Sequence, residues 1–178
     1  MRGMLWRFLI FLMAGVLLVI INTGFLAFLP LQFSALNLIL VILLFLIFLN
    51  VRFSTVIFLA LWAGFLTELM SVTPFGIFSI SLILTLILSN AVFIYLFTNR
   101  SLPALLALGV FSTLIFKAIF FLTALLMSIK STALAFSFLD YFSAVFWELL
   151  LNLSFLIIVY ILARRFNKKL EGTFLIKE

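Results

Sequence analysis

Apolar residues fill this chain in long stretches, broken at intervals by short polar or turn-forming groups. The stretches lie near Phe8 to Leu29, Leu36 to Leu49, Thr55 to Met70, Phe75 to Phe97, Ala104 to Met127 and Phe138 to Ala163. Roughly 20 apolar residues cross a hydrocarbon core of ~30 Å, so the pattern predicts about six transmembrane helices, the second and third of them short. The breaks carry residues suited to ending or starting helices: Pro30, the turn Asn50 to Ser54, Thr73-Pro74, and Thr98 to Pro103. Thr73 is expected to cap the fourth helix, with Pro74 at its first position. Lipid leaves no water for unpaired backbone groups, and the strict alternation of a membrane strand is missing. The spans are therefore helices and the fold class is an all-α membrane bundle.

Composition reinforces the pattern. Of 178 residues, 68% are hydrophobic and only 9% charged, with a mean hydropathy of +1.51, whereas soluble domains run to about 25% charged. Residues 1–163 are expected to form one membrane domain and residues 164–178 a basic tail too short to fold alone. Arg2 and Arg7 precede the first stretch, as in a signal peptide, but its length exceeds an h-region of about 7–15 residues, so a retained helix is expected. Cysteine and histidine are absent, which removes disulfides, thiolate nucleophiles, most zinc and haem sites and the commonest general base. The acidic residues Glu68, Asp140, Glu148, Glu171 and Glu178 show no metal-site or carboxylate-pair spacing. An enzyme, a cofactor and a metal are not expected.

Charge supplies a topology. With six spans, Arg2, Arg7, Arg52, Arg100, Arg164, Arg165, Lys168, Lys169 and Lys177 fall on one side and Lys130 alone on the other. The positive-inside rule then puts both termini in the cytoplasm. The net charge of +6 is accounted for by this bias, with attraction of Arg164, Arg165, Lys168 and Lys169 to anionic headgroups, and calls for no nucleic-acid partner.

Polar residues at bilayer depth are the candidate functional positions. Lys117 and Glu148 each sit roughly 15 Å from the outer ends of sequential antiparallel helices, at ~1.5 Å per residue, so an interhelical ion pair is expected. It reads either as a structural clamp or as a substrate or proton site. Thr113 and Asn152, each one turn away, extend the two polar stripes. Ser81, Thr85 and Ser89 recur every fourth residue on the fourth helix and are expected to face the bundle. Ala60 and Gly64 have the small-xxx-small spacing of close helix approach. Glu68 lies just before a helix start, where a carboxylate is favoured by unpaired amides; a titrating or partner-binding acid is the functional alternative.

The stretch from Gly64 to Ile80, GFLTELMSVTPFGIFSI, carries a family resemblance. It resembles the central signature of the MreD family of rod shape-determining membrane proteins: a glycine-containing helix ending in an acid, a small-residue turn, then a hydrophobic-glycine pair opening the next helix. Gly64, Glu68, Ser71, Phe75 and Gly76 stand in that order, and Pro74 lies within the same stretch as a further candidate for the turn that would meet a partner. The family usually has aspartate in place of Glu68, and often an acid near Asn37. The resemblance implies a non-enzymatic adaptor in the bacterial inner membrane, binding an MreC-like partner and cell-wall synthases of the RodA and penicillin-binding-protein types. A second expectation is a substrate-binding subunit of an energy-coupling-factor vitamin transporter, a distantly similar class. Its alanine-rich docking motif is not matched by Ala14 to Leu18.

Overall fold

A computed structural model describes residues 13, 15–25, 31–71, 74–96, 101–128 and 138–166. Among them every regular element is a helix: α1 (Gly15–Gly24), α2 (Leu31–Ser34), α3 (Leu38–Phe48), α4 (Phe53–Met70), α5 (Ile77–Leu96), α6 (Leu102–Ser128) and α7 (Phe138–Phe166). From Ile20 the first helix widens into a π-helical turn, Ile20–Phe25, that runs one residue past its end. Helices α4 to α7 are long and apolar enough to cross a membrane. Together these make the chain an all-helical, multi-pass membrane protein.

The predicted second span is the main departure. It is a helix of 11 residues, about 16 Å long at 1.5 Å per residue and so only half a bilayer core. Every residue of α3 except Ile42 and Leu46 is buried. A helix apolar on all sides belongs inside a bundle, and α3 packs against α4, α5, α6 and α7. Its far end is closed by a Schellman turn, in which Val51 N–H donates to the Leu46 carbonyl (3.1 Å) and Asn50 N–H to that of Ile47 (2.9 Å). Asn50 occupies the left-handed position with φ 60°, a conformation that asparagine tolerates better than most residues. Phe48 then packs on Phe93 of α5 and Tyr160 of α7, ring centroids 6.0 and 6.2 Å apart.

Between lipid-solvated helices, association rests on close packing and hydrogen bonds, because the tails are as apolar as leucine. The α4/α5 and α5/α6 contacts show both. A Cβ on Gly64 would come within 2.8 Å of Ser79 Oγ and 3.1 Å of Ser79 Cα, so this glycine sets how near α4 lies to α5. Ser81, Thr85 and Ser89 are fully buried and face α6, where Ser81 meets Thr123 (3.2 Å) and Ser89 meets Ser112 (2.7 Å).

One start site needs correction. Pro74 is not the first residue of its helix; α5 begins at Ile77. Gly76 has φ 96°, which no α-helical residue adopts. The four residues from Pro74 therefore form a turn closed by Ile77 N–H to the Pro74 carbonyl (3.5 Å). Thr73, Pro30, Arg2, Arg7, Arg100, Lys130, Lys168, Lys169 and Lys177 lie outside the described residues.

Candidate functional site

Two groups of predicted residues are assembled by this architecture, one inside the bundle and one at the turn between α4 and α5. The inner group forms around the head of α3. A helix starting within a bundle exposes backbone N–H groups to a medium that cannot solvate them. Three asparagine side chains answer this. Asn37, the N-cap, accepts from Leu40 N–H (3.2 Å). Asn22 of α1 accepts from Leu38 N–H (2.9 Å). Asn152 of α7 accepts from Asn37 N–H (3.0 Å) and donates to Thr113 of α6 (3.3 Å).

Beside these amides Lys117 of α6 pairs with Oε2 of Glu148 on α7, as their matched depth predicts. Glu148 is 4% exposed, and its Oε1 has no hydrogen-bond partner among the described residues. The Tyr141 hydroxyl donates to the Lys117 carbonyl (3.0 Å) and ties the N-terminal part of α7 to α6. The cluster thus unites residues from α1, the α3 cap, α6 and α7. It holds a buried charge pair and a helix head together, and one carboxylate oxygen is left over.

The second group is the turn. Glu68 is buried, and its Oε1 accepts from the N–H of Ser79 (2.8 Å), the third residue of α5. A carboxylate there satisfies an orphan amide and meets the positive end of the helix dipole. Gly64 abuts the same Ser79 from one turn earlier on α4. Gly76 makes the left-handed bend, and Phe65 and Phe75 close the open side edge to face at 5.6 Å. Ser71 ends α4 in extended backbone. Pro74 and Phe75 are exposed at the tip, together with Leu69 and Met70. Since Glu68 is inside, it holds the turn and does not itself present a surface.

Arg164 and Arg165 lie at the opposite end of the bundle, exposed on the last turn of α7. Asn22 and the Asn37 cap were missed as members of the inner group. The available signal was an amide residue interrupting an otherwise apolar run, at positions 22, 37 and 152 alike.

Compared with known proteins, the chain matches no family model, no curated protein and no solved structure.

Proposed function

We propose that this chain is a non-enzymatic membrane adaptor of the MreD type, which holds an MreC-like partner and cell-wall synthases close together in the bacterial inner membrane. One observation carries the reading. The residues that resemble the family signature have interlocking positions: Gly64 and Glu68 both fasten onto Ser79, Gly76 bends the chain, and Phe75 is left exposed beside Pro74 on a braced tip. An adaptor needs a rigid, specific surface and no catalytic groups. The tip is such a surface, and it lies at the end of the bundle away from Arg164 and Arg165. Six spans with both termini cytoplasmic belong to this proposal and place the tip at the outer face, beside the juxtamembrane segment of a single-span partner.

The inner polar group favours a second reading. A half-length helix whose head is buried near an ion pair resembles the broken helices that form midplane sites in transporters, and Glu148 Oε1, which has no hydrogen-bond partner among the described residues, would serve a substrate-binding subunit. Depletion in a rod-shaped host separates the two. The adaptor reading expects rounding of the cells and loss of the MreC-like protein from pull-downs. Normal shape, with saturable binding of a vitamin by the purified protein, would favour the transporter subunit.

A further inference from the structure

The end of the bundle that carries the arginines has a cleft with a defined chemistry. It is an open groove of about 460 Å³ between the first residue of α6 and the last turns of α7, lined by Leu102, Tyr160, Ile161, Arg164 and Arg165. Consecutive helix positions point about 100° apart, at 3.6 residues per turn, yet both guanidinium residues border this one groove. Both are exposed.

The acidic residues among the described part of the chain lie elsewhere. Glu68 belongs to the turn at the other end, Glu148 is engaged by Lys117, and Asp140 is about 24 residues, or about 36 Å, back along α7. Among the described residues, the double positive charge of the groove therefore has no acidic neighbour. A helix C-terminus favours cations, which accounts for arginines in this turn, but not for their sharing a groove with Leu102 of a different helix. Below them the surface of α7 is apolar and open, with Ile158, Ile161 and Leu162 each about half exposed.

We infer that this groove binds the phosphodiester headgroup of an anionic glycerophospholipid, the phosphate held by Arg164 and Arg165 and an acyl chain lying along Ile161 and Ile158. Arginine suits the role because its planar fork can meet two phosphate oxygens at once. The apolar wall selects a lipid over free phosphate, and the two cations select an anionic headgroup over a zwitterionic one. The site is independent of the adaptor function.

The test uses the purified full chain in dodecyl maltoside, titrated with phosphatidylglycerol or phosphatidylcholine and read by native mass spectrometry of bound lipid. Phosphatidylglycerol is expected to bind in preference to phosphatidylcholine. Binding should fall roughly 30-fold in R164Q/R165Q, from about 1 kcal/mol per basic residue at a lipid surface. K168Q/K169Q, which removes equal charge from the basic residues that follow in the sequence, should retain binding. L102D keeps both arginines and places a carboxylate opposite them, so it should also lose binding while size-exclusion elution stays unchanged. Equal binding of the two lipids, undiminished binding in R164Q/R165Q or L102D, or full displacement by millimolar inorganic phosphate would overturn the assignment. Binding that emerges only after E171Q/E178Q would overturn it too, since the chain's own tail would then be the occupant.

Discussion

At the residue scale, two glycines separate backbone from side-chain constraint. A Cβ on Gly64 meets the Cα of Ser79, whereas a Cβ on Gly109 meets the side-chain ends of Leu156 (2.5 Å) and Leu153 (3.1 Å). Leucine termini can rotate away and a helix backbone cannot. Gly64→Ala is therefore expected to destabilise by about 1–3 kcal/mol, the range for overpacking, and Gly109→Ala by less, in unfolding titrations from detergent micelles. The Lys117–Glu148 pair gives a second expectation. Removing either charge leaves the other unpaired in the bundle and costs roughly 3–5 kcal/mol, while replacing both by methionine approaches neutrality. A double-mutant cycle reads the coupling directly, and additive effects would remove the pair as a unit. This pair could be read from the sequence because consecutive antiparallel helices fix relative depth. The roles of Asn22 and Asn37 could not, since they depend on where α3 begins inside the fold, and that is a tertiary fact.

At the scale of elements, the long helices were readable and the short one was not. Apolar length alone identified α4 to α7, with ends shifted by a few residues: the third predicted segment begins at Phe53 and the fifth at Leu102. In α3 the hydropathy of a span coincides with that of a buried core helix, and only the amide groups around its head tell them apart. Asn152→Leu is expected to strand the Asn37 N–H and cost about 1–3 kcal/mol, more than Ser154→Ala on the exposed side of α7. At the other end of α3, Asn50→Gly should be neutral or stabilising. Asn50→Val should cost about 1–2 kcal/mol, because a β-branched residue resists the left-handed conformation. Thermal melts of both variants check the Schellman turn. At Pro74 the sequence misled for a definable reason: proline favours the first turn of a helix, but the positive φ of Gly76 postpones that turn to Ile77.

At the scale of the molecule, the bundle has two unlike ends. One carries Arg164 and Arg165 beside Leu102; the other carries the turn braced by Glu68. Because the chain has no native cysteine, single cysteines at Asn99 and Lys130 test the proposed sidedness cleanly. They should react with an impermeant maleimide from opposite faces of sealed vesicles, and reaction from one face would refute the six-span topology. The adaptor proposal makes the sharper demand, that the exposed tip of the turn touches a protein. A photoactivatable amino acid placed at Phe75, 56% exposed, can be compared in living cells with one at Tyr95, 85% exposed near the opposite end. An adaptor of the MreD type predicts a crosslink from position 75 to a single-span MreC-like protein and none to it from position 95. Crosslinking from position 75 to lipid alone, or equally from both positions, would contradict it.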